Sequence, residues 1–274
     1  MARNPTPDYG MPHAPMASSR RRFDLAHPPA FDRDFAARSP LFWPIAGAAG
    51  RVLRRGEEQQ QRSPSSVEAE FPPVEWFNRV FDADPAVRFV LAAPRPRRRG
   101  RRREAIDPSA LYDARITVDR LVPSRADSWH DLMNALVWGT FPRAKSALHA
   151  RQHRAIEARI EPGARTLPPS RTRELDALAL LDEGGVVIPA GDPSSPIVFG
   201  HAIYESLALG IRPAVVAAIE LAVPGKGDGK DKGMGVGDAA ALAAVDEALA
   251  LVIADDAQLQ SPEALRRIDL ASHV

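Results

Sequence analysis

The chain has no cysteine in its 274 residues. That single absence excludes disulfides, thiolate catalysis and zinc sites of the cysteine type. No apolar run reaches the roughly 18 residues that a membrane helix needs, so no span is expected. Arg20–Arg22 are followed by no apolar stretch, so a secretory or twin-arginine signal fails and the expected location is cytoplasmic. Phosphate-binding fingerprints are missing too. No G-x-G-x-x-G occurs, and Pro224 and Asp231 stand where the pattern around Gly229-Lys230 needs Gly and Ser or Thr.

What is present fits a globular domain: 45% hydrophobic and 26% charged residues. The length suffices for one large domain or two small ones with a sizeable buried core. The 26 prolines gather in tails and loops. The net charge of +1 hides an asymmetry. Residues 95–103, RPRRRGRRR, hold seven Arg; without them the 36 basic residues fall to 29 against 35 acidic, a net of −6. Basic character therefore belongs to this loop and the N-terminal arm.

Residues 1–22 read as a disordered Pro/Arg-rich tail. One domain is expected over 23–255, with an Arg-rich loop at 93–104, a Gly/Lys/Asp loop at 225–237 and a C-terminal segment at 256–274. SPLFWPIAGAAGRVL and VEWFNRVF read as short helices, VRFVLA as a strand near 87–92, and LYDARITVDRLVP as a turn or short helix anchored by Tyr112. Two helices follow across the break Gly139-Thr140-Phe141-Pro142. Asp182-Glu183-Gly184-Gly185 between two apolar runs predicts a hairpin near 175–189. A helix is expected to start at Ser195-Pro196 and end at Gly210, residues 213–223 form a buried strand, and Asp238 caps a last helix. The fold class is α+β, helix-rich, with a few strands.

WHDLMNALVWGTFPRAKSALH, residues 129–149, mixes large apolar anchors with titratable groups more densely than any other stretch. Ser128 with Asp131 has capping-box spacing, which sets the helical register. Trp129, Leu132, Met133 and Leu136 then share one face, and His130, Asp131 and Asn134 share the other with an exposed Trp138. His130 and Asn134 lie one turn apart and could address one substrate. Asp131 is explained by the cap. On the second helix Lys145, His149, Gln152 and His153 share a side. A lysine one turn from a histidine can hold an anion or polarise a base, against the plainer reading of a solvated face.

His149 and His153 have the i, i+4 spacing of a helical metal pair, but Ala150 replaces the Glu of H-E-x-x-H and no third ligand is signposted. No metal is expected. His201 and Glu205 are one turn apart and could fix a histidine tautomer, or form an ordinary helix contact. Arg173 and Asp176 are weaker candidates that could pair structurally. Arg95–Arg103 could neutralise phosphates and give weak nucleic-acid contact, although no aromatic residue interleaves and Pro94, Pro96 and Gly100 preclude a groove-reading helix.

The segments AVRFVLA (86–92), LYDARITVDRLVPSR (111–125), WHDLMNALVWGTFPRAKSALHARQH (129–153), RELDALALLDEGGVV (173–187) and FGHAIYESL (199–207) resemble a bacterial family known as domain of unknown function 3025. The resemblance covers roughly 23–255. It departs at Ser124 and Ser128, where the family carries Thr and Asn. It implies a shared pocket and brings no reaction or cofactor with it. The leading expectation is an enzyme on a small molecule or phosphoester. In it His130 is acid or base, Asn134 an orienter, Lys145 a charge partner and His149 a neighbour across Pro142. A non-enzymatic module using the Arg loop for nucleic acid or acidic partners is the alternative, and a helix clamp through Trp129 and Trp138 a third.

Overall fold

The structure, a computed structural model, describes residues 31–54, 70–93, 105–190, 195–212, 215–222 and 239–271. The tail, the loop 225–237, the Asp238 cap and nearly all of the Arg-rich loop fall outside these residues. The α+β expectation holds, and all of the described residues belong to one compact unit. No helix among them is long and apolar enough to cross a membrane.

The centre is α4 (Trp129–Thr140), started by Ser128, whose Oγ accepts the Asp131 amide at 3.2 Å. Residues 132–138 are all buried, because α4 is wrapped on every side by other elements. Trp129 sits in an aromatic nest of Phe31, Phe35 and Phe71. Trp138 is fully buried rather than exposed, since α5 (Pro142–Glu157) folds back over it. Short helices α1 (Ala46–Leu53) and α2 (Val74–Phe77) pack at the other side. A two-stranded parallel pair joins β1 (Arg88–Leu91) to β2 (Leu121–Ser124), with α3 (Tyr112–Thr117) in the connection.

The second sheet runs in the order β4-β3-β5-β6. Here two expectations are corrected. Residues 173–184 form a helix, α6 (Arg173–Gly184), not the first arm of a hairpin. ELDALALL consists almost wholly of good helix formers, and Thr172 caps it by accepting the Leu175 amide. The chain passes from α6 straight into β3 (Gly185–Pro189), which pairs in parallel with β5 (Val215–Leu221). The helix expected to start at Pro196 instead begins five residues later. Ile197–Val198 form β4, antiparallel to β3, and α7 spans His201–Ala208. β6 (Arg266–Asp269) closes the sheet from the C-terminal segment.

Gly185 and Gly200 make this corner. A Cβ on Gly185 would lie 2.2 Å from the Leu181 carbonyl oxygen. A Cβ on Gly200 would lie 2.4 Å from the Gly185 nitrogen and 2.5 Å from the Glu183 carbonyl. The amides of Phe199 and Gly200 both donate to the Gly185 carbonyl, at 3.0 and 2.8 Å. The start of α7 is thereby pressed against the end of α6.

The α5 N-terminus receives no side-chain cap from Phe141. Asp246 of α8 (Ala239–Ala254) supplies one, accepting the Ala144 and Arg143 amides at 2.8 and 3.1 Å. Burial pushes its carboxyl up to about 6, outweighing these amides and Arg143, with Glu247 adding to the rise. An acid whose pKa is raised on folding binds its proton more tightly in the native state. The stabilising increment is therefore present below the unfolded value near 4 and is lost as pH rises through 6. Between pH 4.5 and 8, urea unfolding is expected to show the wild type losing about 2 kcal/mol more than Asp246→Asn, within the roughly 1.4 kcal/mol per pH unit that linkage allows. Equal pH slopes contradict this.

Candidate functional site

At the corner made by Gly200, the N-terminus of α7, the C-terminus of α6 and the first turn of α4 converge. His130 of α4 places Nδ1 3.0 Å from Glu205 Oε2, and its Nε2 lies 3.0 Å from His201 Nε2. Glu205 and His201, read in the sequence as a pair, thus serve His130 from its two sides. Glu183 Oε2 lies 3.4 Å from His201 Nε2, and Asp182 Oδ1 lies 3.8 Å from His201 Nδ1. Lys145, reaching up from α5, meets Asp182 at 2.5 Å.

Exposure grades across this cluster. Side-chain exposure is 52% at Glu183, 31% at His130 and 29% at Glu205, but only 3% at His201 and 1% at Lys145. The rim is open to solvent, and the floor is enclosed. The electrostatics follow. Burial would discharge Asp182, yet Lys145, His201 and His149 outweigh it and hold its carboxyl well below the usual carboxylate range. Burial pushes His201 down to about 3, with Lys145 and His130 adding to the fall against Asp182, so its imidazole is neutral. The hydrogen bond that His130 donates to Glu205 raises it above the ordinary histidine value, against desolvation. Burial likewise raises Glu183, partly offset by His130.

The floor continues under Trp138. The His149 ring stacks on the Trp138 indole, centroids 5.6 Å apart and planes within 3°, and Lys145 Nζ stands 5.7 Å from the Trp138 ring. His149 Nδ1 meets Asp113 of α3 at 2.8 Å. The Tyr112 ring is 45% exposed, but its hydroxyl points inward against the Asn134 amide. Burial there, with Asp182, Asp131 and Asp113 nearby, drives its pKa well above the ordinary value. Asn134 Oδ1, Trp138 Nε1, His149 Nε2 and His201 Nδ1 are buried without a hydrogen-bonding protein partner. A groove of about 330 Å³ opens beside Asp113, lined also by Arg159, Leu167 and Arg171.

The sequence candidates therefore divide. His130, His201 and Glu205 meet directly, and Lys145 joins them through Asp182. Asn134 and His149 lie under the same floor. Lys145 and His149 are buried, not on a solvated face, because α3 and α6 cover that side of α5. Asp131 caps only by its amide; its carboxylate is taken by Arg125, through the backbone at 2.6 Å and both guanidinium arms at 2.9 Å. Arg173 is ion-paired with Glu263, and with Asp176 it sits toward the far end of α6, roughly 13 Å and 9 Å of helix from Asp182 respectively. His153 faces Glu157 at 3.8 Å. Sequence reasoning passed over Asp182 and Glu183, whose turn-like spelling explained them away, and Tyr112 and Asp113, which offered no spacing signal. Arg95–Arg103 lies outside the described residues.

The side chains of this site lie on the segments 111–125, 129–153, 173–187 and 199–207. Residues 101–227 match the family model described as Protein of unknown function (DUF3025). The resemblance seen in the sequence holds over that stretch, narrower than 23–255. The DUF3025 match carries every residue of the cluster, from Tyr112 to Glu205, and the family description brings no activity. Neither the curated proteins nor the solved structures contain a match to this chain.

Proposed function

We propose that the chain is an enzyme acting on a small molecule, with phosphoesters one candidate class, at the rim formed by His130, His201, Glu183 and Glu205. One observation carries this reading: a half-exposed histidine, His130, has both ring nitrogens held, by Glu205 and by His201, above a buried Asp182–Lys145 pair. A surface histidine serving only solubility needs no such support. Orientation of one histidine nitrogen by a carboxylate is what general acid–base chemistry uses to fix the tautomer, and here the other nitrogen is shared with His201 at the half-exposed rim.

Within this reading His130 is the group that meets the substrate, and Glu205 fixes its tautomer. Lys145 is too deeply buried to touch a substrate and acts as a positioning residue through Asp182. Asn134, Tyr112 and His149 hold the floor. An unbiased metabolite screen by thermal shift is expected to return at least one phosphorylated or carboxylated compound that stabilises the wild type and no longer stabilises His130→Ala. Identical ligand responses in the two proteins would remove the reading.

A further inference from the structure

The geometry points to a divalent transition-metal site made by His130 Nε2, His201 Nε2 and Glu183. These donor atoms all lie within 4.8 Å of one another. The inference stands on donor geometry and does not require the enzyme reading; if both hold, it supplies the site with a Lewis acid.

Proton bookkeeping is the first argument. His130 Nδ1, 3.0 Å from Glu205 Oε2, must donate, so its ring proton sits on Nδ1. His201 Nδ1 faces the Asp182 carboxylate at 3.8 Å and has no hydrogen-bonding protein partner, so its ring proton is free to sit on either nitrogen. With the His201 proton on Nδ1, toward that carboxylate, each ring presents an Nε2 lone pair, and the two nitrogens face each other at 3.0 Å. The Glu183 carboxylate closes on the same point, 3.4 Å from His201 Nε2. In that proton state three lone-pair donors converge, and a bound cation takes the place of a proton shared between the two rings. Lys145 is committed to Asp182, which lies on the Nδ1 side of His201.

Distance is the second argument. With metal–ligand bonds of about 2.0–2.1 Å, neighbouring donors on a tetrahedral ion stand about 3.3 Å apart. The separations of 3.0 and 3.4 Å straddle that value. Two imidazoles and one carboxylate suit zinc or another first-row divalent ion, and three protein ligands leave one position open. The open position faces water, because Glu183 and His130 form the exposed rim. Support around the ligands is the third argument: Glu205 on His130 is the carboxylate–histidine–metal relay that fixes ring orientation, and Asp182 underlies His201. The sequence hid this set because its three members come from three helices, His130 standing 53 and 71 residues before Glu183 and His201 and those two 18 apart, with none of the short ligand spacings that signpost a metal.

Untagged full-length protein, stripped with chelator and titrated with Zn²⁺ against a chromophoric chelator, tests this. One ion per chain is expected, with visible cobalt bands when Co²⁺ replaces it. His130→Ala should lower Zn²⁺ affinity at least about 100-fold, and Glu183→Gln and Glu205→Gln about 10–100-fold each. His201 is buried and its replacement can disturb folding, so these three rim variants, checked by circular dichroism, decide the matter. No one-to-one zinc binding by the wild type, or equal binding by His130→Ala and Glu183→Gln, overturns the site. Zinc bound without turnover of any substrate leaves the site standing and removes the enzyme reading. Turnover by chelator-stripped protein that binds no zinc does the reverse.

Discussion

Lys145→Ala is expected to lower the unfolding free energy by about 3–5 kcal/mol, the range for stripping one partner from a buried ion pair. For a body of this size that corresponds to a fall in Tm on the order of 10 °C. The expectation rests on what remains behind. Asp182 is largely enclosed, and Lys145 at 2.5 Å is the cation that compensates it. Without the ammonium, a carboxylate stays in the floor beside the Trp138 ring and a neutral His201. The alkyl stem of Lys145, fully buried, also leaves a void against α6. The double variant Lys145→Met/Asp182→Asn separates these terms. It removes both charges while keeping volume, and is expected to recover more than half of the loss, since neutral replacement of a buried pair costs little. Chemical denaturation of the three proteins measures it. A single variant within about 1 kcal/mol of the wild type would show that the pair is not the keystone of the floor.

Gly200→Ala is expected to cost less stability but to disrupt the site, through shape instead of charge. The backbone at Gly200 has φ −67° and ψ 117°, which alanine adopts freely, so no conformational strain is at issue. The obstacle is that the new methyl would lie 2.4, 2.5 and 2.6 Å from backbone atoms of residues 185, 183 and 184, none of which can rotate away. α7 must retreat from α6 by about an ångström, at the roughly 1–3 kcal/mol typical of overpacking. His201 and Glu205 travel with it, away from His130 and Glu183. A misplacement of that size costs on the order of 100-fold in a positioned reaction. Gly210→Ala is the control. Gly210, at φ +74°, has open space around its would-be Cβ, so alanine there carries only local left-handed strain of about 1 kcal/mol and leaves the site alone. Equal ligand binding by Gly200→Ala and Gly210→Ala would contradict the view that this glycine sets the site.

The same glycine explains how far the sequence could be read. Local signals carried well. The Ser128 cap set the register of α4, so His130 and Asn134 were found on one side, and the i, i+4 pair His201 and Glu205 was recognised on a helix. Long-range contacts were illegible. Asp182-Glu183-Gly184-Gly185 spells a turn, and only the approach of Gly200 shows that this stretch ends a helix and faces α7. Lys145 sits among polar neighbours on its helical wheel, so it read as solvated until α6 brought Asp182 over it. Trp138 read as exposed because the groups that cover its ring, His149 and Lys145, come from α5. Tyr112 and Asp113 gave no spacing to notice, since their partners Asn134 and His149 lie 22 and 36 residues on.

The central claim is that His130, held between Glu205 and His201, is the working residue of the cluster. Its most direct test is the kcat/KM of the purified wild type and of His130→Ala on the compound that the metabolite screen returns, or on a panel of phosphomonoesters and phosphodiesters. The expected result is turnover by the wild type and a loss of at least about 100-fold in the variant, the scale of a positioned acid–base or charge-stabilising group, with Tm unchanged. Equal turnover by both proteins, with the fold intact, would contradict it.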